Sequence, residues 1–373
     1  MICKKITYNN FRNIENEELT LSPGVNVIRG ENAQGKSNML EGIYFFARGR
    51  SFRASKDKEL IRFGENEALL SLEFSRDDSE RTSTITAAIP SQGKKIITRN
   101  GAKLTSLKEM IGTFRAVLFC PAHLTLVDGG PSLRRSFLDI ALSQLYPTYL
   151  DSLSQYNRAM GQRTALLREA AAGKKIDSYM WDIYADQLAK SGARIAARRS
   201  EYVRGLSDSV SSFFSDMTGG RETPLLSYKS DALDGDMTYD EIISEGEKLL
   251  YEQITASLDR DIKYSMNSHG IHRDDIAIKI NQKDARLYAS QGQRRSLALS
   301  MKLAEGELAK KASGEFPVFL LDDVLSELDR NRRAFILGCL KDRQIIVTSC
   351  EDDHFDRENV KFITVENGKI TDQ

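Results

Sequence analysis

The chain has 373 residues, 40% hydrophobic and 28% charged, which predicts two or three domains, or one large domain split by an insertion, with ample apolar material for a core. Lysine plus arginine equals aspartate plus glutamate at 53 each, so bulk charge draws the protein to neither nucleic acid nor acidic lipid, and any such surface must be local. Cys3, Cys120, Cys339 and Cys350 form no C-x-x-C pair, which argues against a zinc site or disulfide framework and for a reducing compartment; with neither a signal-peptide run nor a membrane-length apolar stretch in view, a cytoplasmic chain without a membrane partner is expected.

Residues 1–30 read as strands, and the apolar run 25–28 leads straight into Gly30. A helix is expected over 36–47, where Met39, Leu40, Ile43, Tyr44 and Phe46 recur at helical spacing. Alternation over 69–74, 84–89 and 95–98 predicts strands, and Asn100-Gly101 a hairpin. The character changes near Pro121. From Pro131 to about Leu258 the pattern is mostly helical, interrupted at 231–247 by an acidic, glycine-containing stretch that reads as an exposed loop. A strand is expected at 276–280, a helix from about 290 to 311, a strand at 318–321, a helix at 332–340, a strand at 345–348, and a hairpin at Asn367-Gly368. Strands alternating with helices at both ends predict an α/β domain, residues 1–120 and 270–373, split by a mainly helical second lobe, 121–269. That lobe is too short for a long coiled coil and leaves room for short arms.

Residues 30–37, G-E-N-A-Q-G-K-S, match G-x-x-x-x-G-K-[ST] without deviation, after a strand and before a helix. In this pattern the glycines let backbone N–H groups turn inward around phosphates, and the helix end adds positive potential. Gly30, Glu31, Asn32, Ala33, Gln34, Gly35, Lys36, Ser37 and Asn38 are therefore candidate nucleotide contacts. Lys36 would reach the β- and γ-phosphates, and the Ser37 hydroxyl would ligate Mg²⁺. The apolar strand 318–321 ends in Asp322 and Asp323. A buried parallel strand delivers its C-terminal residues to the ligand edge of the sheet. Asp322 is the candidate Mg²⁺ ligand, and Asp323 the candidate catalytic carboxylate. Lys36 and Asp322 stand 286 positions apart, yet one ion must touch both neighbourhoods, so something domain-sized interrupts the nucleotide sheet.

Ser290-Gln291-Gly292-Gln293 precedes an apolar helix, with Ser290 placed to cap it, and resembles the ABC signature, LSGGQ in transporters. Residues 324–329 resemble the D-loop. Segments 30–38, 49–53, 127–139, 269–275, 290–299 and 320–329 together resemble the RecF family of ABC/SMC-like ATPases over nearly the whole chain. The resemblance implies a P-loop ABC-type head, with a mixed sheet and an antiparallel β subdomain. It implies ATP and Mg²⁺ as cofactors and an ATP-dependent homodimer, in which Ser290, Gly292 and Gln293 of one subunit close over the partner's ATP. It further implies slow hydrolysis, ATP-coupled binding to duplex and gapped DNA, and assistance to RecR and RecO in loading RecA. An SMC-like head and an ATP-binding clamp with negligible turnover are the alternatives. Two departures stand out. Residues 119–124, F-C-P-A-H-L, lack acidic residues after the proline, so no Mg²⁺-sensing role is assigned to Ala122 or His123. The switch-histidine position falls on Thr348 or Ser349, and nearby His354 reads as a surface histidine.

Local basic excess marks candidate DNA contacts. Arg48, Arg50, Arg53, Lys56, Lys58 and Arg62 oppose only Asp57 and Glu59, and Arg194, Arg198 and Arg199 cluster at helical spacing. These arginines could track phosphates without reading bases, although a solvated helix face would carry the same pattern and residues 49–53 could instead pack against the nucleotide lobe.

Overall fold

The computed structural model describes residues 1–76, 81–350 and 360–372. Along the chain, β1 (Ile2–Phe11), β2 (Ile14–Thr20), β3 (Val25–Arg29) and α1 (Lys36–Arg48) lead to β4 (Glu67–Ser75), β5 (Thr82–Pro90), β6 (Ile96–Arg99), β7 (Ala102–Lys103) and β8 (Ala116–Phe119). Then come α2 (Pro131–Leu145), α3 (Pro147–Ala171), α4 (Ser178–Thr218), β9 (Pro224–Lys229), α5 (Tyr239–Ala256), α6 (Leu258–Tyr264), β10 (Asp275–Ile280), β11 (Lys283–Asp284) and α7 (Ala285–Tyr288). α8 (Gln291–Ser313), β12 (Val318–Leu321), α9 (Arg330–Cys339), β13 (Ile345–Ser349), β14 (Val360–Glu366) and β15 (Lys369–Asp372) follow. Two units emerge: residues 1–124 with 302–373, and residues 125–301.

The first unit holds two sheets. In the order β15-β14-β3-β13-β12-β8, the strands from β14 to β8 run parallel and β15 closes the edge antiparallel. β8 and β12 are buried at every residue, which is why they read as unbroken apolar runs rather than alternating ones. The second sheet, β2-β1-β4-β5-β6-β7, is antiparallel and alternates buried with exposed residues. α1 packs in one core cluster with residues of both sheets, and the Tyr8 hydroxyl donates to the Met39 carbonyl at 2.6 Å. Two buried amides hold the start of the parallel sheet. Asn26 Nδ2 donates to the Ser22, Gly24 and Ile345 carbonyls, and Gln344 exchanges 2.7 Å hydrogen bonds with both backbone groups of Cys3. Each satisfies backbone groups that would otherwise be buried without partners. Both expected hairpins form, with Asn100 and Gly101, and Asn367 and Gly368, at positive φ.

In the second unit α4, 41 residues long, packs against α3 and α5. The sheet is β11-β10-β9. Two sequence expectations need correction. β9 lies inside the stretch read as helical, and its pairing with β10 draws residues 270–301 into this unit; the return crossing falls at Lys302 instead of 270. The stretch 231–247 is a loop only in its first half. Thr238 and Glu241 form a capping box that starts α5 at Tyr239, and acidic residues in a first turn suit a helix N-terminus rather than argue for a loop. Among the described residues no helix is long and apolar enough to cross a membrane.

Candidate nucleotide site

β3 delivers its last residue, Arg29, to a tight loop whose end opens α1. Gly30 and Gly35 have φ of 150° and 112°, a region that disfavours side chains. A Cβ at Gly30 would also strike the Val365 carbonyl, and one at Gly35 the Asn13 amide. The β14–β15 turn braces the loop from outside: Gly368 N donates to the Gln34 carbonyl at 2.8 Å, and Asn367 N to Gln34 Oε1 at 2.5 Å. Lys36 is 4% exposed. Its ammonium donates to the carbonyls of Gly30 at 2.7 Å and Glu31 at 2.8 Å, and to Cys350 Sγ at 3.2 Å.

β12 brings the two carboxylates to the same edge. Thr348, at the end of β13, joins them: its hydroxyl lies 3.1 Å from Asp322 Oδ1 and 3.3 Å from Asp323 Oδ1, and accepts the Asp323 N–H at 2.9 Å. Asp323 has φ of 50°, uncommon for a residue with a side chain and costly unless surroundings enforce it. Asp322 is 7% exposed. Burial pushes its carboxyl above the usual range, a hydrogen bond from Ser37 opposes this, and the neighbouring charge of Asp323 adds to it. Asn32, Ala33, Gln34, Gly35, Lys36, Ser37, Asn38, Arg53 and Asp323 line a cleft of about 240 Å³.

The Ser37 hydroxyl and Asp322 carboxylate fit a hard cation. Both donate oxygen, and a buried carboxylate held above its ordinary pKa gains from a nearby positive charge. Among the described residues no group of three His, Cys, Asp or Glu side chains could hold a metal alone. An ion such as Mg²⁺ takes one or two protein ligands and completes its shell with phosphates and water.

The cleft includes one of the candidate DNA contacts, from a segment, 49–53, whose alternative placement is against the nucleotide lobe. Arg53 lines it and donates to Asn38 Oδ1 at 3.1 Å. The segment is built for this position. Buried Glu41 of α1 takes a bidentate bond from Arg12 at 2.8 and 2.7 Å and the Ser51 hydroxyl proton, and Ser51 Oγ accepts the N–H groups of Arg53 and Ala54. Arg53, a candidate DNA contact, is exposed and lines the cleft of the phosphate loop. Asn13, Asn367 and Cys350 were also missed; they reach the loop from distant parts of the sequence and carry no motif.

Within the second unit, Ser290 caps α8 as expected. Its Oγ accepts the Gln293 N–H at 3.2 Å, and Gln293 Oε1 accepts the Ser290 N–H at 2.6 Å, a reciprocal box. The Gln293 Nε2 donates to Glu222, and Arg294 pairs with Asp128 at 3.5 Å.

The remaining DNA candidates divide. Arg199 is corrected: it is 1% exposed, paired with Asp139 at 2.8 Å and bonded to Tyr149 and the Ile271 carbonyl, so it braces the core and cannot meet a phosphate. Arg50 and Arg194 are exposed, and Arg48 is half-buried. Arg198 is sandwiched between the Tyr146 and Tyr239 rings, at 4.4 and 4.7 Å, and pairs with Glu201. Burial holds the His123 ring well below its usual pKa, hence neutral. His354 lies outside the described residues.

Residues 2–371 match the model of the RecF/RecN/SMC N-terminal domain family. A DNA replication and repair protein RecF from Clostridium novyi (strain NT) is 37% identical over 99% of both chains. One from Staphylococcus haemolyticus (strain JCSC1435) is 36% identical over 99% of this chain and 100% of its own. A solved structure of the recombination mediator protein RecF-ATPrS in the RecFOR pathway superposes with a TM-score of 0.92 at 35% identity, covering 100% of this chain and 98% of that one. An SmcHead bound to the C-winged helix domain of ScpA shares the fold, with a TM-score of 0.57 at 16% identity over 100% of this chain and 98% of its own.

Proposed function

The chain belongs to the RecF family of DNA replication and repair proteins, and we propose that it is an ATP-gated DNA-binding ATPase. The observation that carries this reading is the convergence of Lys36, Ser37, Asp323 and Arg53 on one cleft, with Asp322 hydrogen-bonded to Ser37 beside it. Backbone N–H groups of residues 30–38 would cradle the ATP phosphates, with Lys36 turning from its own loop carbonyls to the β- and γ-phosphates. Ser37 and Asp322 would hold Mg²⁺, which neutralises phosphate charge when bound. Asp323 would orient the attacking water, its carboxylate aimed by Thr348. Arg53 supplies the positive charge that a developing γ-phosphate anion needs.

One chain does not need two anion-binding helix ends for one γ-phosphate. The capped start of α8, a second helix end of the kind that binds anions, therefore supports a head-to-tail homodimer in which Ser290 and Gly292 meet the partner's ATP. ATP would close this dimer on duplex or gapped DNA, and slow hydrolysis would reopen it. Because a similar protein is described as a mediator in the RecFOR pathway, RecR and RecO are the expected partners, and RecA loading the expected outcome. Asp323→Asn should bind ATP normally and accumulate the dimer, with single-turnover hydrolysis reduced about a hundredfold or more. Wild-type turnover in that variant would show that another group handles the water. Equally low turnover in the parent chain would favour a clamp without useful hydrolysis.

A further inference from the structure

Glu222 is held by no motif, lies outside the nucleotide cleft, and touches the signature directly. It precedes β9 in a segment fixed by a reciprocal pair: Thr223 N donates to Asn281 Oδ1, and Asn281 N to the Thr223 carbonyl, both at 2.9 Å. From there its carboxylate accepts the Gln293 Nε2 hydrogen. A side-chain amide has two ends, a donor NH₂ and an acceptor oxygen, whereas an ionised carboxylate only accepts. Glu222 therefore admits a single orientation of the Gln293 amide, with NH₂ towards the carboxylate. That orientation leaves Oε1 facing the Ser290 N–H, which it binds at 2.6 Å.

We propose that Glu222 is the positioning residue of the signature: it selects the Gln293 orientation that locks Ser290 as the cap of α8, and so presets the helix end that receives the partner's γ-phosphate. The inference rests on the dimer reading above. Its effect passes through Gln293, and not through the charge of Glu222 at the phosphate, since a carboxylate facing that anion would only repel it.

The test uses the full chain, Mg-ATP and light scattering, with a fluorescent ATP analogue to read nucleotide binding by the monomer. Glu222→Gln is isosteric but offers a donor as well as an acceptor, so residue 222 no longer enforces the Gln293 orientation that the Ser290 N–H needs. It should raise the dimer dissociation constant about tenfold or more, the weight of a charge-assisted hydrogen bond, with ATP affinity and melting temperature unchanged. Gln293→Ala should weaken the dimer comparably, and the double variant no further than Gln293→Ala alone, because both changes remove one device. Amide exchange at Gln293 should speed up in Glu222→Gln without nucleotide. An unaffected dimer in Glu222→Gln, or additive losses in the double variant, overturns the inference while leaving the dimer standing. A parent chain that stays monomeric with Mg-ATP overturns the dimer reading, and the inference with it.

Discussion

Asp322 shows most directly how a functional residue can cost stability. Its folded carboxyl titrates above the usual range, chiefly through burial. A raised acid pKa costs the folded state nothing while the carboxyl is protonated in both states, and the penalty builds as pH rises from the ordinary value through the folded one. Asp322→Asn should therefore melt a few degrees higher than the parent at neutral pH without nucleotide, and the difference should vanish as pH falls through the ordinary Asp range of about 3.9. The same variant should lose Mg²⁺-dependent ATP binding. A melting temperature below that of the parent at pH 7 would contradict the burial argument. The phosphate loop and the acidic strand end were legible because each packs its chemistry into consecutive residues of forced type. The direction of Arg53 stays open in the sequence between DNA and the nucleotide lobe, because the bonds that aim it run through Ser51 and Glu41 and leave no trace in a short segment after a helix.

At the scale of elements, helical spacing revealed which residues of α4 share a face but not whether that face is wet. Arg194, Arg198 and Arg199 are near neighbours in sequence, yet one is exposed, one stacked between tyrosines and one buried. The first half of α5 was missed for the opposite reason: its acidic first turn looks like a solvated loop unless the Thr238 cap is weighed with it. The cap gives a direct check. Thr238→Ala should destabilise the chain by about 1 kcal/mol, with Thr238→Ser nearly neutral, as measured by urea unfolding. Equal stability of the alanine and serine variants would mean that α5 does not depend on this start. β9 carried an alternating pattern, L-L-S-Y-K, that a propensity-led reading of a helical region passed over.

For the whole molecule, zero formal charge sets the expectation for DNA. A monomer with scattered exposed arginines makes few phosphate contacts, whereas a two-fold dimer doubles them along one duplex. The slope of log affinity against log salt should be steeper with ATP than without, by about 0.9 per added contact. Arg50→Ala should flatten the ATP-state slope by about 0.9 to 1.8, according to whether one or both subunits contribute, and weaken all sequences alike. Arg53→Ala should instead weaken ATP itself and reach DNA only through the dimer. Matching slopes with and without ATP would remove the case for a surface completed by dimerisation.

β3, which carries the phosphate loop, finds both its neighbours, β13 and β14, far downstream. Residues 125–301 are continuous, so on the ribosome they emerge complete while β3 still waits for partners. Translation that stalls before residue 345 would yield an inserted unit able to form its own core beside a first strand system with no central sheet. Such a product would hold no nucleotide. The ability to bind ATP thus reports that synthesis has passed β14, at the cost of the slow folding that such distant pairings impose.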